Sequence, residues 1–397
     1  MKFKIEKEKM NGALGQVQAI INPKNPLPLL QNVYIQAEDG KLNLRATDMD
    51  MTLCTSVEAE VEEGGATTLP AKRLLGVFRE MAANVATVTV GEGDKAVIRA
   101  GSATFRLHGM SAEEYPPLPE LGAEVESFSM ERKVLREMLK RVSYAAMQDA
   151  SRPLLSSVLL SYQGGTLASV ATDSRRLALV EQPLDSAPSG PVDLIVPLKA
   201  VSELIRTLGD AGTVEVKASG RQAAFSFGEV TLATKLMEGK YPNFRQVVPV
   251  RTNAVRVTLD REAFLGALRR TSLLVSDKVA GVNLNLSANR LEVVAQEAEI
   301  GEGRDVIDAK YEGEGLSISF NPEFLMDALK VLTEDEVWLE LVDDMSPGVM
   351  GSSTSFKYVI MPIRLQSGPG HETGKGRSGF RGGLLPRRMV ARQGFEP

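Results

Sequence analysis

Four stretches of this chain return in the same order about 125 residues later. PLLQNVYIQ (28–36) returns as PLLSSVLLS (153–161), RATD (45–48) as VATD (170–173), LPAKRLLGVFREM (69–81) as VPLKAVSELIRTL (196–208), and EYPPL (114–118) as KYPNF (240–244). That period is too long for a solenoid repeat and has the length of a whole domain. A weaker third copy follows. VRVTLDREAFLGALRR (255–270) matches ESFSMERKVLREMLKR (126–141) and FKIEKEKMNGALGQ (3–16), and SISFNPEFLMDALKVL (317–332) matches the unit at 69–81. The repeat divides the chain into three similar domains, 1–122, 123–250 and 251–365, with a remainder at 366–397. Length agrees, because 397 residues exceed the roughly 250–300 at which a single core stops growing.

Each copy has the same internal order. Alternating KFKIE, ESFSM and VRVTL read as half-buried strands. A helix follows; in the second copy Val134, Leu135, Met138, Leu139 and Val142 recur at helical spacing, with Glu131 in the first turn. EDGK (38–41), QGGT (163–166) and SANR (287–290) are turn signals between further strands. A second helix opens at Pro70, Pro197 or Pro322, proline being tolerated at the first helical position. Two helices and many strands per copy predict an α+β layer arrangement, helices packed on antiparallel sheets.

The formal net charge is -5, yet the helices carry cations. Opposite the apolar face of the second helices, Lys72 and Arg79 stand seven apart, as do Lys199 and Arg206, and Glu323 and Lys330. On the first helices Arg132, Arg136 and Lys140 step by four, Lys133 and Arg141 lie beside them, and Arg269 and Arg270 end the third copy; Gly15 and Gln16 make the first copy weaker there. Acids concentrate elsewhere, at 57–65, 332–340 and 342–345. One basic helix face is ordinary solvated charge. Recurrence at one place in a repeated unit suits a surface that attracts phosphate without reading bases.

Nothing in the chain composes a catalytic set. There are two histidines, His108 in an alternating strand and His371 near the end, and one cysteine, Cys54, whose stretch reads as small buried apolar surface. There is no zinc-ligand spacing, no phosphate-binding glycine loop and no nucleophile elbow, so no cofactor or metal is expected. Asp48/Asp50 and Asp343/Asp344 fit turns as well as they would fit a cation. Asp173, Arg175 and Arg176 could form a phosphate or carboxylate site of an enzyme, but no base partners them and the copy at 46–50 lacks the arginines. A third reading is a β-rich interaction protein that never meets DNA. No apolar run approaches the roughly 20 residues of a membrane span, and MKFKIEKEKM is followed by no secretory apolar core, which predicts a cytoplasmic protein.

Taken in order, MKFKIEKEKM, LPLLQN, ATTLPAK, EYPPLP, VATDSRRLAL, IVPLKAVSELIR, KLMEGKYPNFRQVVP and YVIMPIRL resemble the bacterial DNA polymerase III beta subunits, the sliding clamps, from Met1 to Leu365. The resemblance implies three clamp domains per chain and a head-to-tail homodimer. Six domains would form a ring, with helices lining the hole and sheets outside. It implies no enzymatic activity: the ring encircles duplex DNA, indifferent to sequence, and tethers the polymerase. It also implies a cleft that takes short apolar peptides of the polymerase III alpha subunit, clamp-loader subunits and other partners. Carried over, the cleft comprises Leu155, Thr172, Ser174, Arg175, Arg176, Leu177, Pro242, Val247, Asn321, Phe324, Met345, Pro347, Val359, Ile360, Met361, Pro362, Ile363 and Arg364, with the arginines at its rim. The family often has Gly-His where this chain has Ser174-Arg175, and Met in place of Ile363. Phe105, Leu107, Leu273 and Leu274 match positions that meet between protomers. Lys24, Gln148 and Arg152 match loops facing the duplex, and join Lys72, Arg79, Arg132, Arg136, Lys140, Lys199, Arg206, Arg269 and Lys330 as DNA-facing residues. Residues 366–397 lie past the family's usual end; six Lys/Arg against two acids, with many glycines, predict a disordered tail.

Overall fold

The alternation that opens each repeat forms a strand, Lys2–Glu6, Glu126–Glu131 and Val255–Asp260, and each runs straight into a helix. The computed structural model describes residues 1–122, 125–149, 151–186, 188–248, 254–275, 281–297, 300–352 and 355–364; the tail at 366–397 lies outside the described residues. The helices are α1 (Lys7–Val17), α2 (Ala71–Glu80), α3 (Arg132–Ser143), α4 (Leu198–Thr207), the single turn α5 (Phe244–Val247), α6 (Arg261–Thr271) and α7 (Pro322–Val331). Within each repeat the two long helices pack on one another, α1 with α2, α3 with α4 and α6 with α7. Their apolar faces are those of the periodicity: α2 buries Leu74, Leu75 and Phe78, α4 buries Val201 and Leu204, and α7 buries Leu325, Ala328 and Leu329. Each large side chain so buried stabilises the fold by about 1.5–3 kcal/mol.

Helix starts differ from the sequence expectation by one residue. Pro70 and Pro197 precede α2 and α4, and Glu131 precedes α3; all three keep the extended backbone of the incoming strand, which is why the helix begins after them. Only Pro322 is the first helical residue, and there the Asn321 side chain caps α7 by accepting the Glu323 N–H at 2.9 Å.

The chain forms two compact units, Met1–Ala171 with Val180–Tyr241, and Thr172–Leu179 with the chain from Pro242 onward. The first unit holds two repeats because they share a sheet. Its eight strands run in the order Glu126–Glu131, Thr213–Ser219, Gln222–Phe227, Val230–Lys235, Met51–Glu58, Lys41–Thr47, Asn32–Glu38 and Gly65–Pro70. The join is the antiparallel pair Val230–Lys235 and Met51–Glu58. A five-stranded sheet in the same unit ends on Ala103–His108. The second unit holds the order Val255–Asp260, Glu336–Leu341, Gly348–Gly351, Phe356–Ile360, and a four-stranded sheet that ends on Gly301–Asp308. Cys54, half-buried on the shared sheet, has its thiol pushed up to about 11 by burial, so it stays a neutral thiol at physiological pH. No helix among the described residues is long and apolar enough to cross a membrane.

Candidate functional site

The Ala-Thr-Asp stretch is one turn built twice. In the first repeat the Thr47 hydroxyl donates to Met51 O at 3.0 Å and accepts the Met49 N–H, while Asp48 Oδ1 accepts the N–H groups of Asp50 (3.0 Å) and Met51 (2.8 Å). In the second repeat Thr172 donates to Arg176 O at 2.6 Å and accepts the Ser174 N–H, while Asp173 Oδ1 accepts those of Arg175 (2.9 Å) and Arg176 (3.0 Å). The residue between acid and acceptor is left-handed in both, Met49 at φ 79° and Ser174 at φ 76°. In both copies Thr and Asp satisfy the backbone groups of the turn. Thr47→Val and Thr172→Val are accordingly expected to lower stability alike, by about 1–3 kcal/mol each, read as a shift in urea midpoint.

What the second copy adds is Arg176. The sequence places it at a rim; the structure buries it, with 8% of its surface exposed. Its Nε donates to Asp173 Oδ2 at 3.0 Å, its Nη1 to Asp327 Oδ2 at 2.8 Å and to the Tyr358 hydroxyl at 3.5 Å, and the guanidinium lies 4.3 Å from the Phe324 ring centroid. Burial opposes the charged form, but Tyr358, Asp327 and Asp173 together outweigh it and hold the guanidinium firmly protonated. Tyr358, fully buried, donates to Phe324 O at 3.0 Å, and burial pushes its hydroxyl well above the ordinary tyrosine value. The network therefore fixes the first turns of α7 against the 172–176 turn. Asp173 thereby accepts three hydrogen bonds within the turn, two at Oδ1 and one at Oδ2.

The second unit also carries half-buried apolar side chains at Phe324, Pro347, Met361, Pro362 and Ile363, with Pro242 just before the turn α5 and Val247 at its end. Met361 N–H donates to Arg175 O at 2.9 Å and Ile363 N–H to Ser319 O at 2.9 Å, so the 361–364 segment is held as a fixed strip. Met345 is 49% exposed on a turn in which Asp343 Oδ1 accepts the Met345 and Ser346 N–H groups. Arg175 and Arg364 are exposed. Other residues of the expected cleft are buried: Thr172, Leu177, Val359 and Ile360 in the second unit, and Leu155 in the first, its carbonyl accepting the Met147 N–H at 2.9 Å.

The cations expected to face DNA divide into two groups. Lys24, Lys72, Arg79, Arg152 and Arg269 are exposed and make no side-chain hydrogen bond or ion pair among the described residues; Gln148 is exposed and donates to Ala146 O at 3.4 Å. The others are engaged. Arg132 donates to Thr213 O at 3.1 Å over the Phe227 ring, Arg136 binds Ile205 O (3.0 Å) and Asp210 (2.6 Å), Lys140 pairs with Glu137 at 3.0 Å, and Lys330 with Asp327 at 3.4 Å. Lys199 pairs with Asp48. Arg206, steadied by Glu203 at 2.7 Å, donates to the carbonyls of Gly15 (3.3 Å) and Gln16 (2.8 Å) at the C-terminal end of α1, where a cation is favoured. Lys199 and Arg206 thus fasten the second repeat to the first while remaining exposed. Lys72, Lys199 and Glu323 occupy the second position of α2, α4 and α7, and Arg79, Arg206 and Lys330 the ninth.

Phe105 and Leu107 are half-buried on Ala103–His108, a sheet-end strand paired on one side only among the described residues. Leu273, 80% exposed, and half-buried Leu274 lie on the 3-10 turn that follows α6. Gly301–Asp308, beside them, is a second open edge that sequence reading missed; GEGRDVID is too charged and glycine-rich to score as a strand.

The N-terminal, central and C-terminal domain models of the DNA polymerase III beta subunit match residues 1–119, 129–243 and 245–364. The beta sliding clamp of Chlamydia muridarum is 33% identical over 365 residues, 92% of this chain and 99% of that protein. The beta sliding clamp of Salmonella typhimurium is 31% identical, over 92% of this chain and 100% of that one. Among solved structures, a DNA polymerase sliding clamp from Pseudomonas aeruginosa superposes with a TM-score of 0.87 at 32% identity, over 92% of this chain and 100% of that one. One from Bacillus subtilis does so with a TM-score of 0.87 at 26% identity, covering 92% and 99%. Three domain models matched in sequence order over a fold of three helix-pair repeats leave one assignment: the chain belongs to the DNA polymerase III beta subunit family, the beta sliding clamps.

Proposed function

We propose that the chain acts as a DNA sliding clamp, a non-catalytic processivity factor that encircles duplex DNA as a homodimeric ring and tethers replication partners. The observation that carries this reading is the recurrence of exposed cations at the ninth position of α2, α4 and α7 and at the second position of α2 and α4. Such cations grip phosphate by counterion release without reading bases, which is the weak, sequence-indifferent hold a sliding ring requires. The unpaired set, Lys24, Lys72, Arg79, Arg152 and Arg269, supplies most of that attraction, since cations already paired release fewer counterions. Two of the sheet-end strands, Ala103–His108 and Gly301–Asp308, support head-to-tail closure of two copies through Phe105, Leu107, Leu273 and Leu274. The fixed strip Met361–Arg364 and the Phe324 ring support binding of a short apolar peptide from the polymerase III alpha subunit or a clamp loader, with exposed Arg175 and Arg364 meeting its polar groups.

Loading onto circular DNA tests the reading directly. The protein is expected to stay with a closed circle through gel filtration and to leave within minutes once the circle is cut. Equal loss from closed and cut DNA would overturn it.

A further inference from the structure

The strip at 361–364 is a surface that asks for an occupant of a particular kind. Its N–H groups at Met361 and Ile363 are already engaged, with Arg175 O and Ser319 O at 2.9 Å each, and Pro362 has none. A guest is therefore held by side chains rather than by strand addition. Gly348 pairs with Ile360, which brings the turn at 342–347, with exposed Val342 and Met345, to the start of the strip. Two exposed carboxylates border the surface, Asp344 on that turn and Glu323 beside Phe324. Neither has a side-chain partner among the described residues. Arg175 and Arg364 are exposed as well, so a cationic guest fits only where its charges reach Asp344 and Glu323.

The chain itself carries a segment of that chemistry. The family's C-terminal domain model ends at residue 364, the last residue of the strip, and the sequence runs on to residue 397. Within this addition LLPRRMV (384–390) sets Leu384, Leu385, Met389 and Val390 around Arg387 and Arg388. Pro386 favours an extended backbone at Leu385, which suits a segment laid along a strip. The connection, 365–383, is rich in glycine. A glycine-rich chain of that length spans about 25 Å root-mean-square. Four extended residues cover roughly 13 Å, so the connection is long enough to turn back over the strip.

We propose that 384–390 folds back onto the 361–364 strip of its own chain, its leucines on the apolar side chains and its arginines at Asp344 and Glu323, and so competes with partner peptides. The proposal rests on the peptide-site reading given above and adds what covers that site in the free chain. A short tether holds its segment at a local concentration on the order of 1 mM. A contact with a dissociation constant of about 0.1 mM then leaves the strip open about a tenth of the time, and weakens a partner peptide roughly tenfold.

Fluorescence anisotropy with a labelled peptide of residues 380–395 tests the proposal. Leu384→Asp with Leu385→Asp in the full chain vacates the strip without touching either folded unit. The labelled peptide is expected to bind this variant about tenfold more tightly than the unmodified chain, and a scrambled peptide of the same composition to bind neither. Adding Glu323→Lys and Asp344→Lys to the variant is expected to weaken the labelled peptide at least threefold. Equal binding to the variant and the unmodified chain, no binding to the variant, binding of the scrambled peptide, or indifference to the two lysines overturns the fold-back. A polymerase III alpha-subunit peptide, measured on the same proteins, separates the two readings. If it binds both proteins equally while the 380–395 peptide binds neither, the fold-back falls and the peptide site stands. If it binds neither protein, the peptide-site reading falls on its own account.

Discussion

Leu273→Asp together with Leu274→Asp is expected to leave the protein sedimenting as a monomer and unable to remain on circular DNA. Leu273 is 80% exposed in the single chain, so little of its surface contributes to the stability of the fold. A leucine moved from water into an interface gains about 1.5–3 kcal/mol, and every 1.4 kcal/mol is tenfold in affinity. Losing two leucines per seam therefore weakens each seam by about two to four orders of magnitude, before the cost of burying two carboxylates is added. The ring has two seams, and both carry the change. Leu274 rests over Gly303, so thermal unfolding of the variant must be followed to show that the second unit still folds. A variant that folds and remains dimeric would remove these residues from the seam.

Arg176→Ala is expected to lower stability by about 2–3 kcal/mol and to weaken binding of an alpha-subunit peptide as well. Deleting one member of a buried charge cluster usually costs about 3–5 kcal/mol, because the remaining charges are left without a counterion. Asp173 and Asp327 retain side-chain exposures of 15% and 31%, so water recovers part of that loss. The variant also frees the Phe324 ring, which the guanidinium covers at 4.3 Å, and with it the aromatic edge of the proposed peptide site. Arg176→Lys restores the charge without the planar fork that reaches Asp173 and Asp327 together, and is expected to recover stability only in part. A urea midpoint for Arg176→Ala equal to that of the parent protein would show that the network holds nothing together.

The three repeats, the strand-to-helix order, the hairpin turns and the apolar helix faces were all legible in the sequence. Each is written at short range, in alternation by two, recurrence by three and four, or turn residues side by side. The family was legible for the same reason, since its motifs are short and come in a fixed order. The cleft was legible only as a set of names. Met361, Pro362, Ile363 and Phe324 are half-buried, whereas Leu177, Val359 and Ile360 are buried, a difference that the order of residues alone does not mark.

What the tertiary structure alone decided are the roles of charges and edges. Lys199 meets Asp48 and Arg176 meets Asp327, each across 151 residues of chain. The shared sheet joins Met51–Glu58 to Val230–Lys235 across a similar span. Local pattern places a cation on an exposed face but does not say what the chain later brings opposite it. The sequence thus determined that this protein is a thrice-repeated α+β clamp chain with basic helices. Only long-range pairing decided which of those cations fasten the fold and which stay unpaired, and which strand edges stay open, because both depend on contacts that no short-range periodicity encodes.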